Sequence, residues 1–550
     1  MIKFSLIKYL AFCIPVFFMS CGSRVAEYEI VIYGGTSAGV IAAVQAARMN
    51  KSVIIIEPYS RLGGLSSGGL GQTDIGNKIV IGGLSREFYA RIAKKYSNSE
   101  AWKWQKKEEY KYNGQSKIDE EETTMWTFEP KIALEVFNDL IKEYNIPVMY
   151  NERLDLTRGV IKRQGEIQTI LLESGKKISG KVFIDASYEG DLMKVSGVSY
   201  TVGRESGDKY SESLNGVQTK MAIYHQFPDG VDPYIVKGDS SSGLLPGVNL
   251  YHDLERSGDS KVQAYCFRMC LTNVPENRIS IKKPRHYNED DYELLFRAIE
   301  AGYKGSFFIM SDIPNNKTDS NNKGPFSSDF IGHNYNYPEG DYEARRKIIK
   351  AHEIYQKGLL WTLSNHLRVP LDIRQYFSNW GLAKDEFKDN GNWTPQLYIR
   401  ESRRMISDVI MTQHHCEGRI IAGESIGMGA YGMDSHHTQR YLDVNGFVKN
   451  EGDVEVHVPY PYPISYSSIT PKKSECVNLF VPVCLAASHI AFGSIRMEPV
   501  FMVLGQSAAV AACMAIDLKC NVQDVPYLEL EKKLLDMGQI LQLPDVKKAE

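Results

Sequence analysis

Apolar residues near the start of the chain follow a strand–helix–strand order. Residues 29–33 form an apolar, β-branched run, residues 40–48 are rich in alanine, and residues 52–56 form a second apolar run. Short continuous apolar runs predict strands that are buried on both faces, and the small residues between them predict a closely packed helix. We therefore expect a βαβ unit with two parallel strands.

Weaker patterns predict further elements along the chain. The expected helices are one that follows Phe128-Glu129-Pro130, one at residues 400–404, one that starts near Gly505 and one at residues 528–537. The expected strands are residues 148–150 and 182–185, with a β-meander between them at residues 156–176. The polar run at residues 315–323 predicts a solvated loop.

A glycine turn joins the first strand to the first helix, and the second strand ends in an acid. The turn consists of Gly34, Gly35, Thr36, Ser37, Ala38 and Gly39, and the acid is Glu57. A helix that begins at such a turn directs free N–H groups at a pyrophosphate, and the acid can bind ribose hydroxyls. Thr36 occupies the position of the middle glycine in the usual Gly-x-Gly-x-x-Gly motif of dinucleotide-binding proteins. A turn without a ligand is the alternative, but the complete unit favours a dinucleotide site.

A second glycine-rich loop follows Glu57 and favours FAD over NAD as the cofactor. Its candidate cofactor residues are Arg61, Gly63, Gly64, Leu65 and Ser66. Glycines let the backbone approach a long, bent cofactor, and an arginine can bind a phosphate. A domain that binds NAD has no need of this loop, so we predict FAD.

These motifs resemble those of the FAD-dependent oxidoreductase family, which is related to the glutathione-reductase-type and succinate-dehydrogenase-type flavoproteins. The similarity is greatest to an exported bacterial lipoprotein branch and extends over nearly the whole chain after the first segment. It implies an α/β fold in which a discontinuous Rossmann-type FAD-binding domain carries an inserted α+β substrate or cap domain. The implied domains are residues 27–205 and 405–525 for FAD binding, residues 206–404 for the cap, and residues 526–550 for a C-terminal helix and tail.

The resemblance also implies cofactor contacts outside the first unit. Backbone near Leu154 is expected to contact adenine, and the second FAD strand implies contacts from Ala186, Ser187 and Asp191. Asp185 can instead act as a strand-end cap. The C-terminal FAD segment implies contacts from Arg496, Gly505, Gln506 and Ser507, where a helix N-terminus would favour the reduced flavin anion.

The glycine-rich stretch at residues 427–441 ends in paired histidines next to an acid and is the richest source of candidate catalytic side chains. A histidine beside an acid can remove a hydroxyl proton as hydride passes to the flavin N5 atom. The candidates are His436, His437, Tyr466, His489 and Arg403. Each histidine has a structural role as its alternative, and a lattice of ion pairs explains the arginines at residues 400–404 equally well. Covalent attachment of the flavin to a histidine also remains open.

Three functions are compatible with these motifs. The first is oxidation of a sugar or another hydroxylated compound, and the second is reduction of an unsaturated carboxylate held by the arginines at residues 400–404. The third is carbohydrate binding without turnover, which the complete FAD motifs argue against. We expect a small-molecule or oligosaccharide substrate and an electron acceptor that the sequence does not identify.

The first 20 residues combine Lys3 and Lys8 with an apolar run, which is typical of a signal peptide. The run is too short for a permanent membrane span and ends at Ser20-Cys21, which is similar to the lipobox of bacterial lipoproteins. We expect export and a lipid anchor on Cys21, in the periplasm or at the cell surface. Secretion without an anchor is the alternative.

Composition bears on the remaining functions. The chain is 43% hydrophobic and 24% charged, with a formal net charge of -3, as in an ordinary globular protein. Its lysines and arginines form no run that could follow a phosphate backbone, so we do not expect nucleic acid as a partner. Cys266 and Cys270 are the only closely spaced cysteines, and we expect no metal or iron–sulfur site.

Overall fold

A computed structural model of the protein describes residues 25–111 and 123–543. The predicted signal peptide at residues 1–20, the predicted lipidation site Cys21 and the end of the predicted tail at residues 544–550 lie outside the described residues. The cysteines of the described residues are free thiols, and all of them except Cys520 are buried.

The described residues form twelve α-helices. They are α1 (Ser37–Arg48), α2 (Gly64–Gly68), α3 (Gly83–Ser97), α4 (Pro130–Glu143), α5 (Asp191–Val195), α6 (Glu293–Glu300), α7 (Tyr342–Asn365), α8 (Leu371–Ser378), α9 (Gln413–Cys416), α10 (His489–Ile495), α11 (Glu498–Leu518) and α12 (Tyr527–Asp536). The predicted helices after Pro130 and at residues 528–537 are confirmed by α4 and α12.

The strands are more numerous and mostly short. They are β1 (Ala26–Tyr33), β2 (Val53–Glu57), β3 (Val148–Tyr150), β4 (Val160–Arg163), β5 (Glu166–Leu171), β6 (Lys177–Asp185), β7 (Tyr200–Thr201), β8 (Val248–Asn249), β9 (Cys266–Phe267), β10 (Met269–Thr272), β11 (Arg278–Ile279), β12 (Phe308–Ile313), β13 (Lys317–Asn322), β14 (Gly381–Ala383), β15 (Leu397–Tyr398), β16 (Arg404–Met405), β17 (Ser425–Gly429), β18 (Met433–Ser435), β19 (Gln439–Leu442), β20 (Val448–Glu451), β21 (Val454–Val456), β22 (Tyr462–Ser465) and β23 (Leu479–Phe480).

The largest sheet contains the predicted βαβ unit. Its strand order is β3-β2-β1-β6-β5-β4, and β23 also pairs with β6. β1 runs parallel to β2 and β6, and β2 runs parallel to β3. β4, β5 and β6 form the antiparallel meander. Every residue of β2 is buried, as expected for a strand covered on both faces. The predicted α/β fold with a Rossmann-type unit is confirmed.

α11 packs along α1 at unusually short range. A β-carbon on Gly505 of α11 would overlap the carbonyl oxygen of Ala38 in α1, so glycine sets this distance. α11 is long and apolar enough to cross a membrane, but 94% of its most apolar stretch is buried within the protein. We therefore regard it as a core helix.

A second sheet lies in the region between β7 and β16 of the chain. Its order is β11-β14-β10-β13-β12, and all neighbouring strands are antiparallel. α6 and α7 contribute to an aromatic core of their own, which includes Tyr292, Phe326 and Tyr355. This region has the α+β character expected of an inserted domain.

The predicted solvated loop at residues 315–323 is wrong. β13 occupies Lys317–Asn322, and most of its residues are buried. The Nζ atom of Lys317 lies 2.6 Å from the carboxylate of Glu129 and 2.8 Å from that of Glu386. The polar side chains are buried here because distant partners neutralise them.

Two helix predictions are also wrong. Residues 400–404 form no helix, because the segment between β15 and β16 is irregular and its arginines reach carboxylates from other parts of the chain. The C-terminal FAD helix does not start near Gly505 but at Glu498. Pro499 lies in its first turn, where a missing N–H group leaves no hydrogen bond unmade.

Candidate functional site

A crevice opens where β1 ends and α1 begins, next to the end of β2. Gly34 has a φ of +98°, and a β-carbon on it would lie 2.7 Å from the backbone nitrogen of Ser187. A β-carbon on Gly39 would overlap the carbonyl oxygen of Gly34. Only glycine therefore permits this turn and keeps the start of α1 close to the sheet.

The N-terminus of α1 lies next to this crevice and has unpaired hydrogen-bond donors. Thr36 caps the helix, because its Oγ1 atom accepts from the N–H group of Gly39 at 3.3 Å and donates to the carbonyl of Ala186 at 2.7 Å. The N–H groups of Ser37 and Ala38 have no acceptor within the described part of the chain. Free amides at the positive end of a helix dipole form an anion site.

Glu57 lies at the end of β2 with both carboxylate oxygens held in place. Oε2 accepts from the N–H group of Gly35 at 2.6 Å, and Oε1 accepts from that of Tyr59 at 2.8 Å. Burial raises the pKa of this carboxyl to about 7. The hydrogen bonds from the two amides lower this pKa, and the nearby charge of Glu189 raises it. Each oxygen keeps a lone pair that can accept a ribose hydroxyl.

A cavity of about 210 Å³ lies between these groups. The predicted cofactor residues on its wall are Gly34, Thr36, Glu57, Arg61, Gly64 and Ser187. Arg61 binds Asp389 at 2.6 Å, and its buried Nε atom has no hydrogen-bond partner among the described residues. Arg61 therefore keeps a donor for a phosphate or another acceptor.

The other predicted cofactor residues are not on this wall. They are Gly35, Ser37, Ala38, Gly39, Gly63, Leu65, Ser66, Leu154, Ala186, Asp191, Arg496, Gly505, Gln506 and Ser507. Leu154 is buried, and its N–H group donates to the hydroxyl of Tyr33 at 3.2 Å. The side chain of Gln506 accepts from the N–H group of Leu84, and the hydroxyl of Ser507 donates to the carbonyl of Ile426. These two side chains hold α11 against its neighbours.

Sequence reasoning missed Glu498. Its carboxylate accepts hydrogen bonds from Ser37 at 2.5 Å, Ser66 at 2.9 Å and Tyr188 at 2.6 Å. Burial raises the pKa of this carboxyl. Glu498 thus ties together the first turns of α1, α2 and α11. The signal for it was Pro499, which marks the true start of α11.

The sequence matches the family described as FAD dependent oxidoreductase over residues 29–534. The chain belongs to this family. This match supports the predicted FAD cofactor and oxidation–reduction chemistry. No curated protein matches the sequence.

Solved flavoprotein structures are similar to parts of the chain. L-amino acid deaminase from Proteus vulgaris is 16% identical over 33% of this chain and 53% of its own, with a TM-score of 0.24. The 3-ketosteroid-delta4-(5alpha)-dehydrogenase from Rhodococcus jostii RHA1 is 12% identical over 32% of this chain and 50% of its own, with a TM-score of 0.20. T. acidophilum thioredoxin reductase is 18% identical over 29% of this chain and 34% of its own, with a TM-score of 0.17. The chain spans about half the length of the first two proteins.

The crevice of this oxidoreductase fits the FAD that its family uses. The glycine turn, the free amides of α1 and the unpartnered Nε atom of Arg61 are the features that a diphosphate requires. Glu57 would hold the adenosine ribose. When bound, FAD would supply the oxidation–reduction chemistry, and the protein would bind and orient the reactants.

A second cavity, of about 460 Å³, is linked to the glycine loops by a chain of side chains. Leu65 packs in the same buried cluster as Tyr398. The Tyr398 hydroxyl accepts from Nη1 of Arg496 at 2.6 Å, and Nη2 of Arg496 lies 2.9 Å from Asp434, which lines the cavity. The Nε atom of Arg496 is buried and has no partner among the described residues. Arg496 thus joins the predicted flavin region to this second cavity.

His436 lies on the wall of the second cavity in a defined orientation. Its Nδ1 atom is 2.8 Å from Oδ2 of Asp329, and its Nε2 atom is 3.6 Å from Oδ2 of Asp434. Arg400 binds the other oxygen of Asp329 at 2.8 Å. Although burial opposes it, Arg400 and His436 hold the pKa of Asp329 well below its usual range. Asp329 thus orients the ring through Nδ1, and Nε2 lies on the side of Asp434.

His437 and Tyr466 do not line this cavity. Nε2 of His437 is 3.2 Å from the carbonyl oxygen of Tyr224, and burial lowers the pKa of His437 to about 3. The hydroxyl of Tyr466 donates to the carbonyl of Val522 at 2.5 Å. Both side chains are buried, and these contacts are structural.

His489 lies behind the cavity wall. Its Nδ1 atom is 2.7 Å from Oε2 of Glu401, and its Nε2 atom is 3.0 Å from Oγ of Ser435. Burial lowers the pKa of His489 to about 3, and Arg404 acts in the same direction. A neutral His489 therefore fixes Ser435, which stands between Asp434 and His436.

The arginines at residues 400–404 are all paired with carboxylates. Their partners are Asp329 for Arg400, Asp191 and Glu339 for Arg403, and Glu205 and Glu401 for Arg404. Glu401 and Arg404 are in contact although no helix brings them together. Arg403 contacts the predicted cofactor residue Asp191 and does not line the second cavity.

Sequence reasoning also missed Asp329, His225 and Glu455, which lie at or next to the second cavity. Each is a single charged or polar residue without a motif around it. Glu455 could have been found only through strand pairing, because β21 places it opposite Asp434 on β18.

Proposed function

We propose that this enzyme oxidises a hydroxylated small molecule, such as a sugar, with FAD as the hydride acceptor. The observation that carries this proposal is the orientation of His436, whose Nδ1 atom is bound to Asp329 while the ring lines the second cavity. A neutral imidazole held in this way can accept the proton of a substrate hydroxyl through Nε2. Asp434 and Arg496 connect this position to the predicted flavin region.

The lining of the cavity supports a hydroxylated substrate. Asn321, Asn322, Tyr224 and Tyr431 are on its wall. Amides bind hydroxyl groups, and aromatic rings pack against the apolar faces of sugars. Reduction of an unsaturated carboxylate has less support, because the arginines that would bind the carboxylate are already paired.

The test is anaerobic reduction of the flavin in purified holoenzyme. A panel of sugars and simple alcohols is added in turn, and the absorbance of oxidised flavin is followed, with dithionite as a positive control. Bleaching by at least one compound supports the proposal. Bleaching by dithionite alone contradicts it, and reoxidation of the reduced flavin by an enoate would instead support the reductase.

We also propose that the mature protein is exported and carries a lipid anchor on Cys21, in the periplasm or at the cell surface. The support is the basic and apolar pattern of the first 20 residues and the position of Cys21 after them. Replacement Cys21→Ala should abolish labelling by a fatty acid and move the protein from the membrane fraction to the soluble fraction. Unchanged labelling would contradict the anchor.

A further inference from the structure

The second cavity contains a pair of side chains that the proposed chemistry does not use. Nε2 of His225 lies 3.4 Å from Oε1 of Glu455, and both residues line the cavity. His225 has a φ of +54°, an uncommon conformation for a residue with a side chain. The N–H group of Gly324 donates to Nδ1 of the ring at 2.9 Å. The side-chain amide of Asn450 donates to the backbone carbonyl of His225 at 2.8 Å. The protein therefore keeps a strained residue in a fixed orientation at the cavity wall.

Hydrogen bonding defines the tautomer of His225. Its Nδ1 atom accepts the N–H group of Gly324, so in the neutral ring Nε2 carries the proton. The Nε2 atom lies 3.4 Å from Oε1 of Glu455, as an ion-pair contact. A metal ion at Nε2 would need the lone pair there and a proton on Nδ1 facing another N–H group. The pair is thus suited to hydrogen bonding and not to metal coordination.

A buried carboxyl group lies directly behind this pair. Asp453 is 3% exposed, and its Oδ2 atom has no partner among the described residues. One of its carboxylate oxygens lies within 4.8 Å of both His225 and Glu455. Burial raises the pKa of Asp453 to about 9, and Glu455, Asp434 and Asp329 act in the same direction. A carboxyl with a pKa raised this far is protonated at neutral pH, so Asp453 is uncharged behind the pair.

Within the described part of the chain, the acidic side chains on the cavity wall have no lysine or arginine beside them on that wall. No lysine or arginine of the described residues lines the cavity, whereas Asp434 and Glu455 do. The nearest arginines are engaged, since Arg496 binds Asp434 at 2.9 Å and Arg400 binds Asp329 at 2.8 Å. A substrate that carries a carboxylate or phosphate would meet the carboxylates of Asp434 and Glu455, with no lysine or arginine among the described residues of the wall to pair with it.

We propose that His225 and Glu455 form a hydroxyl-binding subsite, and that the cavity takes a neutral polyhydroxylated substrate and excludes its anionic counterparts. This inference rests on the proposed function, which it narrows to uncharged sugars and sugar alcohols. Glu455 accepts hydrogen bonds from substrate hydroxyls, and His225 fixes the Glu455 carboxylate. Asp453 lies behind the pair, with a carboxylate oxygen within 4.8 Å of both residues.

Paired titrations of the holoenzyme test this subsite. The probes are glucose, galactose and mannose, each compared with its uronate, and binding is measured by calorimetry and by perturbation of the flavin spectrum. We expect the preferred neutral sugar to bind at least roughly tenfold more tightly than its uronate. Glu455→Gln should weaken the neutral sugar and reduce that ratio to below about threefold. Glu529→Gln, on the exposed side of α12, changes the net charge equally and should leave the ratio unchanged.

Three results would overturn the subsite. They are uronates that bind as tightly as neutral sugars, a ratio that Glu455→Gln leaves unchanged, and absence of binding by every neutral sugar. Binding of Ca²⁺ or Zn²⁺ that is lost in Glu455→Gln would also overturn it in favour of a metal site. If neutral sugars bind with the expected selectivity but none reduces the flavin, the proposed oxidation fails and the subsite stands.

Discussion

The crevice at α1 and the cavity at His436 are lined by different kinds of chemical group. The crevice at α1 is built around the glycine turn and neighbouring backbone groups of residues 34–64, and residues 187–189, 337–349 and 390–397 complete its wall. The cavity at His436 consists of side chains from distant segments, around residues 225, 322, 434 and 455. Backbone suits a cofactor that is always the same, whereas side chains suit chemistry and substrate selection. The two regions should therefore fail in different ways when they are mutated.

The largest expected effect is the loss of FAD from Gly39→Val. A side chain at this position would overlap the carbonyl of Gly34, so the turn and the start of α1 cannot keep their positions. We expect purified protein with less than about a tenth of the wild-type flavin content, as fits the loss of a helix-terminus phosphate site. Flavin released by denaturation gives the measurement.

Gly423→Ala is the matched control for that variant. A β-carbon on Gly423 would meet no atom within 4 Å, and its φ is not positive. Flavin content and melting temperature should stay close to those of the wild type. Normal flavin in Gly39→Val would contradict the role of the crevice.

The next effect is on turnover and not on the cofactor. His436→Gln removes the proposed base, and the rate of flavin reduction by a substrate should fall by about 10²–10⁴-fold. Flavin content should not change, because His436 lies outside the crevice. Stopped-flow reduction gives the rate, and His286→Gln, at an exposed site, is the control. An unchanged rate would remove His436 from the mechanism.

The contrast between the two cavities explains how much could be predicted from the sequence. The βαβ unit, Glu57 and the FAD family were predictable because strand, turn, helix and acid are local signals. Asp329, His225 and Glu455 were not, because only the folded chain brings them to His436 or its cavity. The same reason explains the wrong prediction for residues 315–323. Lys317 is buried only because Glu129 and Glu386, far away in the sequence, neutralise it.

Glu57→Gln should affect FAD affinity moderately. The carboxylate would accept ribose hydroxyls, and a hydrogen bond to a charged group contributes about 1.5–3 kcal/mol. We expect the dissociation constant for FAD to rise by about 10–100-fold. Fluorescence quenching on titration of apoprotein with FAD measures it, and Glu173→Gln on the surface should behave like the wild type.

The same variant should change the pH dependence of apoprotein stability. The pKa of Glu57 rises from 4.5 to about 7 on folding. The unfolded chain therefore loses this proton first, and stability from this group, complete below pH 4.5, is lost as the pH rises through 7. Melting temperatures at pH 5 and pH 8 should differ less in Glu57→Gln than in the wild type. An equal or larger difference would contradict the raised pKa.

The smallest effect is expected from Tyr466→Phe. Its hydroxyl binds the carbonyl of Val522 and does not face either cavity. We expect unchanged flavin content and turnover, with a loss of about 0.5–1.5 kcal/mol in the free energy of unfolding. A large fall in turnover with an unchanged melting temperature would return Tyr466 to the catalytic candidates.

The most direct test of the account is the absorption spectrum of the purified wild-type protein, recorded before and after acid precipitation. We predict a flavin band that corresponds to about one FAD per chain, as one crevice per chain requires. The fraction in the supernatant will show whether the flavin is covalently bound. Protein that stays colourless after expression and refolding with added FAD would contradict the assignment of the α1 crevice as a cofactor site.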